Sequence, residues 1–399
     1  MTDPLGQSQV LPYLVGLAKK GHKITILSCE KNNRYHHYAN IITNITNTAD
    51  IKWVYLPYTS KPKVLSTIID IYKINKTAIN LFDSEKFDIV HCRSYIPAII
   101  GLKLKRKRNV KFIFDMRGFW ADERIDGGIW NIKNPVFYLI YRFFKKKELQ
   151  FLKESDTIVC LTHKAKTEIL SWKIFTDKSV NIEVIPCCCD TDLFNPSYAV
   201  LEKKLETRKQ LNIKDDSLVL SYLGSVGTWY MLPEMLKFFK KLSDKYPNSI
   251  FFFITPDSPE IIYKEAKSLN ITDDKLLIKT VPRNEVPLML GAADISIFFI
   301  KPAYSKIASS PTKQAEVMSM GQPIICNAGI GDTDFIIEKS GAGIVVKDFS
   351  NKELDKAINC IDKILKISHK TIREYAINHF DVNNGIAKYD FIYQKLMKS

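Results

Sequence analysis

The chain has 399 residues, 46% of them hydrophobic and 25% charged, a globular balance with material for about two domains and little room for long disorder. No 18-residue apolar run occurs, which argues against a membrane-spanning helix, and the polar, turn-like residues 1–9 do not resemble a signal peptide. The net charge of +15 is uneven, +11 over residues 1–200 and +4 over 201–399, so the first half points to an anionic partner: nucleic acid, a membrane surface or a phosphorylated substrate.

Short β-rich runs alternate with longer amphipathic stretches, the pattern of βαβ units and parallel sheets. Met1–Gln9 reads as a strand-to-helix turn, with Ser8 as N-cap of a helix starting at Gln9. Such a turn normally follows a buried strand, so we expect a first strand of roughly ten residues, with its connection, to be missing. After the helical pattern Val10–Lys20 come strands at Ile24–Ser28 and Ile51–Leu56, a helix over Val64–Phe82, and strands at Asp88–His91, Lys111–Asp115, Asp156–Leu161 and Glu183–Pro186. The second half repeats the pattern, with strands at Leu218–Gly224, Ile250–Thr255, Leu276–Val281, Ile295–Ile300, Pro323–Cys326 and Gly343–Val346. A polar segment, Asn195–Asp216, separates the halves. The expected fold class is therefore α/β, with two doubly wound Rossmann-like domains facing a cleft at the C-terminal ends of their strands. The boundaries are 1–200, 201–375, and a final helical segment, 376–399, within two helices read over Ile372–Leu396.

The eight cysteines form no C-x-x-C pair, and Cys187–Cys189 has no further ligands at metal spacing, so reduced cytoplasmic thiols are expected and no metal site. The loop Phe114–Arg124 gathers Asp115, Arg117 and Glu123 after a strand. Asp115 or Glu123 are candidates to orient or deprotonate a hydroxyl, and Arg117 to hold a phosphate; a capping or salt-bridge role for Asp115 and Arg117 is the competing reading. His91 and Arg93 end the preceding strand, with a core role for His91 equally open. Pro135–Glu154 mixes aromatics with Arg142, Lys145, Lys146 and Lys147, the composition of an interfacial helix on anionic lipid, although a core helix with a solvated basic end fits equally.

The segment Ser309–Asn327 carries Glu316 on a helix, then Gly-Gln-Pro and a buried strand. It resembles the donor-binding segment of family-4 glycosyltransferases, and other features follow in that family's order: Gly21-His22, Asp88–His91, Ile185–Phe194 and the loop Gly224–Tyr230. The resemblance implies a GT-B enzyme that moves a sugar from a nucleotide donor, most often a UDP-sugar, to a hydroxyl with retention and without metal. It implies that Glu316 holds the ribose hydroxyls, with Ser310, Thr312, Gly224, Ser225, Gly227 and Thr228 around the diphosphate and Gly6 and Gln7 facing the cleft. The family's earlier donor-site Glu is replaced by Ala308, and its loop cations are missing. Lys301, Lys306 and Lys313 are candidates to replace them, Lys313 first. It further implies a lipid-linked or saccharide acceptor, polysaccharide biosynthesis, no separate cofactor, and a cytoplasmic protein, peripheral on the membrane's inner face if the basic helix is interfacial. The competing readings are a nucleotide-sugar epimerase on the same fold and a basic nucleic-acid-binding protein; no nucleic-acid-binding motif is evident, so no nucleic-acid partner is expected.

Overall fold

The computed structural model describes residues 1–175 and 180–398. These form two compact units, Met1–Cys188 with Val382–Ser399, and Cys189–Asp381.

The first unit opens with α1 (Pro4–Gln9) and α2 (Leu11–Lys19), parted at Val10, where the backbone leaves the helical region (φ −127°, ψ −59°). Pro12, in the first turn of α2, has no N–H to continue the ladder of α1. Ser8 is therefore not a helix cap. It lies inside α1, and its hydroxyl donates to the Pro4 carbonyl at 2.8 Å. There follow β1 (Ile24–Glu30), α3 (Asn32–Thr48), β2 (Ile51–Pro57), α4 (Lys63–Glu85), β3 (Ile89–Arg93) and α5 (Tyr95–Arg108). Next come β4 (Lys111–Asp115), α6 (Trp120–Asp126), α7 (Pro135–Glu154), β5 (Thr157–Cys160), α8 (His163–Ser171) and β6 (Ile182–Val184).

All strand pairs here are parallel, but they form two sheets, β1–β2 and β3–β4–β5–β6. No pairing joins β1 to β3. Between them lies a cavity of about 1510 Å³, walled by Ile24–Cys29, by Ile89, His91 and Arg93, and by Tyr13, Leu17, Tyr389 and Tyr393. Helix α5 covers the larger sheet closely: a Cβ on Gly101 would sit 2.5 Å from Cys92 Sγ and 2.6 Å from the Phe112 ring. That approach requires glycine.

The second unit contains α9 (Leu201–Gln210), β7 (Val219–Leu223), α10 (Leu232–Lys245), β8 (Ile250–Ile254), α11 (Pro259–Ser268) and β9 (Leu276–Lys279). It continues with α12 (Val286–Gly291), β10 (Ile295–Phe298), α13 (Thr312–Ser319), β11 (Ile324–Asn327), α14 (Thr333–Ser340) and β12 (Gly343–Val346). Helices α15 (Asn351–Asn359), α16 (Ile361–Ile364) and α17 (His369–Phe380) close it, and α18 (Val382–Lys398) belongs to the first unit. The six strands are parallel in the order β12–β11–β10–β7–β8–β9. The order reverses between β7 and β10, and a doubly wound sheet of this kind opens its ligand crevice at that reversal.

The units part between Cys188 and Cys189, whereas the sequence placed the junction near residue 200. Cys188 joins the first unit's core, its N–H donating to Tyr13 Oη at 3.1 Å. Cys189 joins the second, with its sulfur 3.2 Å from Ser319 Oγ. The polar segment after residue 195 packs on the second unit because Arg208 is buried there. Its guanidinium donates to the carbonyls of Ala292, Asp215 and Ser217 and pairs with Asp294 at 2.8 Å.

Candidate functional site

In the second unit the topology brings together residues far apart in sequence. Strand β7 ends at Leu223 and is followed by Gly224, whose φ of 104° lies in the left-handed region, and the loop 225–230 turns back toward α10. On the other side of the reversal, the connection after β10 runs through Lys301 and Lys306 to α13, which carries Lys313 and Glu316. The two segments meet at Gly224, where an added Cβ would lie 3.4 Å from Lys313 Nζ.

The lysine candidates separate sharply. Lys301 is exposed, whereas Lys306 and Lys313 are only 6% and 7% exposed and each lies under an aromatic ring of the loop. Lys306 Nζ is 3.6 Å from the centre of the Trp229 ring, and Lys313 Nζ is 3.5 Å from that of Tyr230 and 4.1 Å from that of Tyr222. Lys313 also donates to Tyr222 Oη at 2.9 Å. Desolvation drives its pKa well below the ordinary lysine value, against the opposing pull of Glu316 and Asp257. A lysine whose folded pKa is depressed binds fewer protons folded than unfolded, so its burial costs stability below its ordinary pKa of about 10.4, and that cost shrinks as pH rises toward it. We therefore expect Lys313→Met to raise the melting temperature at neutral pH by roughly 2–4 °C, with the gain fading toward pH 10. A melting series against pH checks this; a lower melting temperature at pH 7 contradicts it.

Asp257, which sequence reasoning did not single out, fixes the loop from the end of β8. Its Oδ2 accepts from Ser225 Oγ at 2.6 Å and from the Val226 N–H at 2.7 Å. Ser225 Oγ is also 3.5 Å from the Gly227 N–H, and Thr228 adopts a left-handed φ of 55°. Ser310 and Thr312 lie at the start of α13, partly buried, and Ala308 is buried in the turn Tyr304–Ala308. Glu316 is 5% exposed, and its Oε1 accepts from Arg283 Nη2 at 2.7 Å. Arg283 follows β9, is 44% exposed, and stacks its guanidinium over Phe194. It is a second residue the sequence reading missed; its only signal was its place in Val281-Pro282-Arg283, at the end of a strand.

The first unit gathers a separate charged cluster. Asp115, at the end of β4, accepts from Tyr389 Oη at 3.1 Å, with His91 Nε2 at 3.6 Å, Arg93 at 3.7 Å and Arg117 at 3.9 Å. Burial opposes its charge, but Arg117, His91 and Arg93 outweigh that and hold its pKa below the usual carboxylate range. Asp115 Oδ1 and His91 Nε2 are buried without a hydrogen-bond partner, and both residues line the cavity between β1 and β3. Arg117, at a left-handed φ of 58°, also donates to Cys187 Sγ at 3.2 Å. Glu123 lies partly buried on α6, while its neighbour Asp122 is held by Tyr141 and Lys145, each at 2.9 Å. Gly6 and Gln7 lie within α1, where Gln7 Nε2 donates to the Thr2 carbonyl at 3.0 Å. Among the described residues no group of His, Cys, Asp and Glu is arranged to hold a metal ion, and no helix is long and apolar enough to cross a membrane.

Sequence comparison matches residues 9–193 to Glycosyltransferase Family 4 and residues 203–379 to Glycosyl transferases group 1. The chain belongs to this glycosyltransferase family. A comparison with curated protein sequences finds no match. Among solved structures it is similar to sucrose-phosphate synthase from Thermosynechococcus elongatus, at 13% identity and TM-score 0.71 over 94% of this chain and 100% of that one. WaaG, a glycosyltransferase involved in lipopolysaccharide biosynthesis, matches at 15% identity and TM-score 0.69, over 96% of this chain and 94% of that one. Anabaena Alr3699/HepE, in complex with UDP and glucose, matches at 12% identity and TM-score 0.65 over 94% of this chain and 100% of that one. At these identities the likeness shows the fold, two Rossmann-like domains of the GT-B glycosyltransferases.

Proposed function

We propose that the protein transfers a sugar from a nucleotide donor, a UDP-sugar, to a hydroxyl of a lipid-linked or saccharide acceptor, with retention of anomeric configuration and without a resident metal ion. The observation that carries this reading is the meeting of Glu316, Lys306, Lys313 and the Gly224 loop at the strand-order reversal of the second unit. A carboxylate there accepts two ribose hydroxyls at once, exchanging Arg283 for them. Arg283 is half exposed, so it releases Glu316 at small cost and is placed to stack on the base. The two lysines carry the charge of the diphosphate, and the ring faces of Trp229, Tyr222 and Tyr230 hold their ammonium groups in position before the donor arrives.

In the reaction the acceptor oxygen bonds to the anomeric carbon as the bond from that carbon to the diphosphate oxygen breaks. The acceptor proton passes to the departing diphosphate, so catalysis rests on stabilising that leaving group and aligning the acceptor. On the acceptor side Asp115, kept charged by its neighbours, orients a hydroxyl with Arg117 beside it, and Glu123 on α6 is the second carboxylate proposed for that role. The eight cysteines, none of them in a C-x-x-C pair, fit a cytoplasmic enzyme. The solved complex of Anabaena Alr3699/HepE with UDP and glucose supports UDP as the nucleotide.

Thermal shift tests the donor assignment. UDP at about 100 times its Kd is expected to stabilise the protein by about 2.7 kcal/mol, and an oligonucleotide not at all. Stabilisation by the oligonucleotide alone overturns the reading. A panel of nucleotide-sugars, run with chelator and then with Mg²⁺, identifies the donor, and NMR of the product's anomeric proton reports retention or inversion.

A further inference from the structure

A second surface lies in the first unit and goes beyond the donor reading. Helix α7 buries one face through Phe144, Glu148 and Phe151. Its opposite side presents Val136, Leu139 and Phe143, spaced three and four residues apart so that they form one stripe, with Leu139 64% exposed. The turn leading into the helix adds Ile129 and Ile132, also exposed. Residues 127–147 contain five basic side chains and no acidic one. Arg142 and Lys146 are exposed beside the stripe, and Lys147 lies over the Phe143 ring.

Helix α4 repeats the arrangement. It is turned inside out for a helix on a sheet: Ser66 and Asp70 are buried, while Leu65, Ile68, Ile69 and Tyr72 are exposed along one stripe, Tyr72 by 66%. Residues 61–76 hold four lysines and one acid, the buried Asp70, while the helix's other two acids, Asp83 and Glu85, lie at its C-terminal end and pair with Arg108 and Lys52. Helix α5 packs against both α4 and α7, so the three form a row. Burial of a soluble core leaves no reason for the two helices flanking α5 to turn such stripes outward.

We propose that the outer faces of α4 and α7 form a docking surface for an anionic lipid bilayer. The apolar stripes enter the headgroup region, and the lysine and arginine side chains beside them meet the lipid phosphates. Charge decides against a second copy of the chain on α7, because a twofold contact there would set basic groups against basic groups with no acid between them. It decides equally against a neutral surface.

Flotation with vesicles tests this on the full chain. Wild-type protein is expected to float with vesicles of phosphatidylcholine mixed with phosphatidylglycerol and to remain below with phosphatidylcholine alone. The double variant Arg142→Ser, Lys146→Ser is expected to lose binding by about tenfold or more, at about one Lys or Arg headgroup contact per fivefold. Leu139→Glu with Ile68→Glu is expected to abolish it. All four positions are exposed, so folding is checked by an unchanged melting temperature. UDP-dependent stabilisation, a property of the second unit, is expected to persist in each variant, which separates failure of this surface from failure of the donor reading. Equal flotation with both vesicle types, none with either, or unchanged binding of the Glu variants overturns the proposal.

Discussion

Glu316→Ala is expected to weaken nucleotide binding by about 100-fold or more while leaving the protein as stable as before. Two charge-assisted hydrogen bonds to ribose hydroxyls contribute about 1.5–3 kcal/mol each, and their joint loss exceeds the 2.7 kcal/mol of a 100-fold change. Stability is spared because the residue's partner, Arg283, is 44% exposed and can return to water when the carboxylate is removed. Glu316→Gln keeps the shape and one acceptor oxygen, and an intermediate loss is expected. Titration calorimetry with UDP, paired with melting curves, separates the two quantities. A structural role would show the opposite pattern, lost stability with affinity kept.

The largest expected effect on stability lies at Arg208. This guanidinium is 3% exposed and donates to three carbonyls as well as to Asp294. Arg208→Ala removes donors from buried carbonyls and leaves Asp294 to Lys204 and the Val219 N–H. Removing one partner of a buried pair typically costs about 3–5 kcal/mol. For a unit of this size we expect the second unit's melting transition to fall by roughly 10 °C. A fall under about 2 °C would show that water satisfies the same carbonyls.

The two residues mark the limits of what the chain reveals. Strands announce themselves because all three sheets are parallel and the central strands of the two larger ones are buried on both faces. A run such as Ile250–Ile254 is apolar throughout, and each of the twelve expected strands corresponds to an observed one within a few residues. Arg208 was illegible for the opposite reason: Leu201–Gln210 is so rich in charge that it reads as linker, and only tertiary contacts reveal one buried arginine among solvated ones. The break at Val10 follows from Pro12, yet Ser8 at a favourable cap position outweighed it in the sequence reading. At the candidate site, Glu316 and Lys313 were legible through the motif on their helix, and Lys306 through its place ahead of that helix. Asp257 and Arg283 were not, because each is a single polar residue after a strand, and its partner lies more than thirty residues away.

Hydrogen exchange on the full chain, with and without saturating UDP, tests the central claim most directly. Slowed exchange is expected in Gly224–Tyr230 and in the residues from Lys301 to Ser319, the two segments that flank the reversal between β7 and β10. Protection confined to the first unit, or none in those two segments at saturating UDP, would contradict it.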